Sequence, residues 1–221
     1  MTHERKPETD HGIEGEAMVR LFDRFQRSFR DKGILATQRI IRSGLDHGHV
    51  LEIGPGPGYL GLEWLKATQN TTLTGGEISR DMIGMAQKNA REYGLEERVS
   101  YVEANALSLP FEDGTFDGVF SNSSMHEWSE PARVLAEIHR VLKPGGCFFI
   151  SDLKRDISWP VKWFMYFLCK PKEIRPGMLT SIAAAYTRDE AETLFAGSSL
   201  SGAFVGVSPF GLDIQGRKHV I

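Results

Sequence analysis

The run Val50-Leu51-Glu52-Ile53 leads without interruption into Gly54-Pro55-Gly56-Pro57-Gly58. An apolar segment that ends in glycines at alternate positions predicts a strand turning sharply into a helix, because a residue without Cβ permits positive φ and close approach of a ligand to the backbone. A dinucleotide fingerprint, G-x-G-x-x-G, would place its third glycine at position 59, which is Tyr59 here. Pro55 and Pro57 also remove two N–H groups that a pyrophosphate would use. The loop therefore suits a ligand without a pyrophosphate, one whose carboxylate meets the amides of 54–58 and the start of the next helix.

From residue 48 onward, predicted strands and helices alternate. Strands are expected over 49–53, 71–77, 99–103, 116–122 and 147–151, with helices over 58–67, 80–93 and 131–142 between them. Gly94 is a natural C-terminal stop for the second helix, and Lys143-Pro144-Gly145-Gly146 ends the third. Such alternation predicts a three-layer, doubly wound α/β sheet of about seven strands. The last two, near 202–207 and 211–218, are joined so briefly by Ser208-Pro209-Phe210 that they form an antiparallel hairpin.

Two segments lie outside the alternation within what reads as a single domain, 1–221. Residues 16–44 are helical in pattern, with Met18, Leu21, Phe22, Phe25 and Phe29 on one stripe, and form a cover from which Phe25 or Phe29 closes the ligand pocket. Residues 153–186 carry an insertion rich in aromatics, from Trp159 to Cys169, whose only charge in that stretch is Lys162. It is expected as a lid on the acceptor, with a subunit contact (a homodimer) and a membrane surface as the other readings. Thr187-Arg188-Asp189-Glu190 opens the next helix as a capping box. Residues 1–15 read as a loose polar tail.

Composition excludes several classes. A net charge of −3 gives no overall electrostatic reason to bind nucleic acid, which leaves only a local basic patch. No apolar run reaches the ~18 residues of a membrane span, and the polar start lacks the core of a secretory signal, so a cytoplasmic protein is expected. Cys147 and Cys169 have no metal-ligand spacing, and no metal site is expected.

Glu77 ends the second predicted strand, where a carboxylate accepts hydrogen bonds from both hydroxyls of a ribose. Asn105 follows the third, where its carbonyl oxygen can face an adenine amine or simply start a turn. Through four segments in all the chain resembles the class I S-adenosylmethionine-dependent methyltransferases, of the small-molecule type that includes the ubiquinone/menaquinone-biosynthesis C-methyltransferases. These segments are 50–58, 76–83 (Gly-Glu-Ile-Ser-Arg-Asp-Met-Ile), 109–117 (Leu-Pro-Phe-Glu-Asp-Gly-Thr-Phe-Asp) and 136–146, which ends in Leu142-Lys143-Pro144-Gly145-Gly146.

The resemblance implies S-adenosyl-L-methionine as cofactor and S-adenosyl-L-homocysteine as product. Glu52, Gly54, Pro55, Gly56 and Gly58 would cradle the methionine part and Glu77 the ribose. Ile78 and Met82 would flank the adenine, Asn105 and Ala106 would meet its edge, and Ser121 and Asn122 would lie beside the transferable methyl. Relatives usually carry Asp at the place of Asn105. His126, in the segment after the fourth strand, is the candidate base, with Glu127 to orient it or act in its place. A nicotinamide-dependent oxidoreductase is disfavoured by Tyr59, whereas a cofactor-binding module without turnover stays open.

Overall fold

The computed structural model describes residues 5–6 and 12–219. The first strand, β1 (Gly48–Ile53), sits at the centre of a seven-stranded sheet. Its neighbours are β2 (Thr71–Glu77) on one side and β4 (Phe116–Asn122) on the other, both parallel to it. Beyond them lie β3 (Val99–Glu103) and β5 (Leu142–Leu153), giving, with β6 (Phe204–Val207) and β7 (Gly211–Arg217), the order β3-β2-β1-β4-β5-β7-β6. Strand β7 runs antiparallel to both β5 and β6, which is the expected final hairpin. Because the chain winds outward first one way and then the other, a crevice opens between the carboxyl ends of β1 and β4.

The alternation of the strands fills two cores. Val50, Phe120 and Phe149 pack on one face with Ile40, Leu65 and Trp64. Leu51, Val119, Phe148 and Ile150 pack on the other with Ile138, Phe195 and Ile214. Helices α3 (Tyr59–Ala67), α4 (Arg80–Tyr93), α5 (Pro131–Val141) and α8 (Arg188–Ala196) supply the outer layers. The Thr187 cap forms as expected, with Glu190 N donating to Thr187 Oγ1 and Thr187 N donating to Glu190 Oε2.

Several expectations are corrected. The cover over 16–44 is two helices, α1 (Glu16–Asp31) and α2 (Thr37–Arg42), because Gly33 takes φ 66° and breaks the run. Within α1, Met18 faces solvent, and Phe22 rather than Phe25 or Phe29 lies against the glycine loop. Strand β5 starts five residues before the expected 147, passing through Pro144-Gly145-Gly146 with a register shift between Phe116 and Gly118 of its partner. The insertion folds as α6 (Trp159–Leu168) and α7 (Arg175–Ala184), and no residue of α6 is buried. None of its aromatics lines the cavity beside the glycine loop.

The expected loose tail falls partly outside the described residues, at 1–4 and 7–11. Its described part is anchored. The Arg5 guanidinium lies 4.4 Å from the Tyr186 ring centre and donates to the carbonyls of Ala184 and His126. Ser79 Oγ donates to Ile13 O, and Gly15 N donates to Asp81.

Candidate active site

The turn after β1 has the geometry its glycines require. Gly58 takes φ 83°, and a Cβ there would lie 2.5 Å from the Tyr101 hydroxyl. Gly54 takes φ 68° with Ser124 packed on it. With two prolines in the loop only three N–H groups remain, and each has a partner within the chain. Gly54 N donates to Gly76 O, Gly58 N to Pro55 O, and Gly56 N to Glu77 Oε2 at 3.0 Å.

Glu77 is thus the organising carboxylate of the crevice. Its second oxygen accepts from Ser79 N at 3.0 Å, which ties the glycine loop to the start of α4. Burial pushes its pKa up, opposed by the hydrogen bonds from the Ser79, Gly56 and Ile78 amides. Glu52 is more extreme. Its carboxyl is fully enclosed against Gly61, and Oε2 has no hydrogen-bond partner among the described residues. Burial, with the like charge of Glu77, pushes its pKa up to about 8.

Glu52, Gly54, Pro55 and Gly56 line a cavity of about 40 Å³, together with Phe22 and Asn122. Ser121 is fully buried, and its hydroxyl ties β4 to β1 through Ile53 O. Asn122 Nδ2 donates to Ser123 Oγ. Ile78 is exposed beside Gly12, while Met82 is buried and its amide is capped by Ser79 Oγ. Asn105 is exposed, and its Oδ1 accepts from Leu107 N at 2.9 Å, the turn-starting use of an asparagine. Ala106 packs at the edge of the core.

Past β4 the chain makes a short helical turn, Met125–Glu127. His126 is 3% exposed there, and its Nδ1 lies 2.8 Å from Asp152 Oδ1. Asp152 Oδ2 accepts from the His126 amide at 2.7 Å, and Oδ1 also accepts from Leu153 N. The hydrogen-bonded orienting carboxylate is therefore Asp152, which sequence reasoning missed. Glu127, half exposed, stands 3.9 Å from Nε2. With Nδ1 facing a carboxylate, the neutral tautomer that fits this contact has its proton on Nδ1 and its lone pair on Nε2.

A methyltransferase-domain family matches residues 51–150, which contain the glycine loop, Glu77, and the segment after β4. Residues 51–150 thus match a methyltransferase domain. The chain is 36% identical to methyltransferase GfsG of Streptomyces halstedii over 113 residues, 51% of this chain and 40% of that protein. It is 31% identical to the ubiquinone/menaquinone biosynthesis C-methyltransferase UbiE of Escherichia fergusonii over 121 residues, 54% of this chain and 48% of that protein. These alignments span less than half the length of the relatives. Among solved structures, a SAM-dependent methyltransferase from Aquifex aeolicus superposes with a TM-score of 0.64 at 21% identity, covering 83% of this chain and 90% of that one. The [4+2]-cyclase SpnF shares the fold at a TM-score of 0.56 and 21% identity, covering 100% and 88%.

The residues of this methyltransferase domain fit S-adenosylmethionine. An orphaned buried carboxylate oxygen on Glu52 suits a cationic ammonium, and Glu77 suits a pair of hydroxyls. The enclosed volume does not suffice as it stands, since cofactor pockets need roughly 300 Å³ or more. Helix α1, through Phe22, and residues 12–15, through Ile13, are the parts that pack on the glycine loop and on Ser79.

Proposed function

We propose that the chain transfers a methyl group from S-adenosylmethionine to a small-molecule acceptor whose attacking atom carries a proton, with His126 as the base. The observation that carries this reading is the buried His126–Asp152 pair at the carboxyl edge of β4 and β5. The cofactor supplies an electrophilic methyl and a thioether leaving group. The chain supplies the rest. Glu52 would hold the methionine part of the cofactor and Glu77 its ribose, and the Ser124–Gly54 contact keeps the turn bearing His126 beside the glycine loop. His126 Nε2 would take the acceptor's proton as the acceptor atom gains the methyl that bound S-adenosylmethionine would supply. Asp152 stabilises the imidazolium so formed.

Carbon is the favoured acceptor atom. Relatives named as C-methyltransferases share the matched domain, and a ring carbon that takes a methyl must shed a proton. SpnF supports a second reading, in which the same crevice serves a different reaction, because the fold does not fix the chemistry.

The test is methyl-transfer rate against pH over a panel of phenolic and quinol-type acceptors. His126→Ala is expected to lower kcat by roughly 10²–10⁴ and to remove one limb of the profile. Asp152→Asn should lower kcat with little change in cofactor affinity. Profiles of wild type and His126→Ala that superimpose would refute the base assignment.

A further inference from the structure

Helix α6 is amphipathic the wrong way round for a part of a folded core. Trp159, Trp163, Phe164, Phe167 and Leu168 are all exposed, while Lys162 and Tyr166 lie on the less accessible side. At four-residue spacing Trp159, Trp163 and Phe167 form one ladder, with ring centres 6.2 Å and 5.5 Å apart. The apolar surface continues past the helix, because Phe164 meets Phe210 at the tip of the β6–β7 hairpin, 6.5 Å between ring centres.

The charge around this surface has one sign. Residues 157–172 contain Lys162, Lys170 and Lys172 and no carboxylate, in a chain whose net charge is −3. Arg175 closes the end of α6, stacked 4.9 Å from the Tyr166 ring and donating to the Cys169 carbonyl. The nearest acids in sequence are Asp156, 3.9 Å from Lys154, and Glu173. No helix among the described residues is long and apolar enough to cross a membrane.

We infer that the outward face of α6, with Phe210, docks the protein on an anionic phospholipid surface. Aromatic rings seated at the headgroup boundary, flanked by lysines drawn to acidic lipid, are the chemistry of interfacial helices. A second copy of the chain fits less well. A twofold contact through this face would bring the lysines of both copies into one interface with no carboxylate from residues 157–172 to balance them.

Binding of the full chain to vesicles of phosphatidylcholine with phosphatidylglycerol tests this, against phosphatidylcholine alone. Co-sedimentation with the anionic vesicles is expected at low salt and should weaken at high salt. Tryptophan emission should shift to the blue on binding, since Trp159 and Trp163 are exposed whereas Trp64 and Trp128 are buried. The triple change Trp159→Ser, Trp163→Ser and Phe167→Ser should abolish both signals with thermal unfolding unchanged. Should that variant misfold, Lys170→Glu with Lys172→Glu is expected to weaken vesicle binding by at least about tenfold. Absence of binding to the anionic vesicles, or folded variants that bind like wild type, would overturn the inference. So would a dimer in analytical ultracentrifugation that the serine changes dissociate, or a soluble protein partner that displaces the vesicles from this face.

Discussion

Glu52 holds an unusual position for an acid, enclosed, half-satisfied and next to a second carboxylate. Its folded pKa of about 8 lies well above the unfolded value, so between these limits the folded chain binds the extra proton. Stability therefore falls as pH rises through that window. Glu52→Gln is expected to unfold at a less pH-dependent temperature and to be more stable at pH 9 by on the order of a few kcal/mol. The same substitution should weaken S-adenosylmethionine binding. In wild type, an ammonium group placed against Glu52 lowers its pKa, so binding near neutral pH should release a proton, measurable by calorimetry in buffers of differing ionisation enthalpy. Glu52→Gln should lose that release. Of the candidate site residues, Glu52 and Glu77 could be picked out because each is an acid at the carboxyl end of a predicted strand. Asp152 was not, because its partner lies 26 residues away and the pairing depends on the β4–β5 register that sets Asn122 beside Ser151. Its signal was there in the same form, an acid at the carboxyl end of a strand.

At the scale of elements, the start of α4 joins three parts of the site. Ser79 caps the helix by accepting from Met82 N, donates a hydrogen bond from its hydroxyl to Ile13 O, and donates another from its amide to Glu77. Ser79→Ala removes the cap and the anchor together. It should cost about 1 kcal/mol of stability and increase hydrogen exchange over residues 12–20, while the amide that meets Glu77 is retained. Cofactor association should become faster if residues 12–15 close the crevice, which stopped-flow binding would read. The strands and capping box were readable from alternation and punctuation, with errors confined to ends. The cover and the insertion were not. In both, aromatic spacing shows that a helix forms but not which side finds a partner, so Phe22 was overlooked for Phe25 and Phe29, and α6 turned its rings to solvent.

The whole molecule is a sheet with a crevice at its switch point, closed down in this structure to about 40 Å³. A ligand that enters must bind the folded chain and not the unfolded one, so its affinity appears directly as stability. At roughly a hundred times its dissociation constant, S-adenosylhomocysteine should add about 2.7 kcal/mol, which for a chain of this size raises the unfolding temperature by roughly 5–10 °C. NAD at the same concentration is expected to give a smaller shift, because Pro55 and Pro57 remove two N–H groups that a pyrophosphate would use. Glu77→Ala should abolish the shift, since it removes the ribose-binding carboxylate and the tie that holds Gly56 to α4. Equal shifts with both ligands in differential scanning calorimetry would mean that the crevice recognises adenosine alone, and the assignment of the glycine loop to an aminoacyl tail would fail.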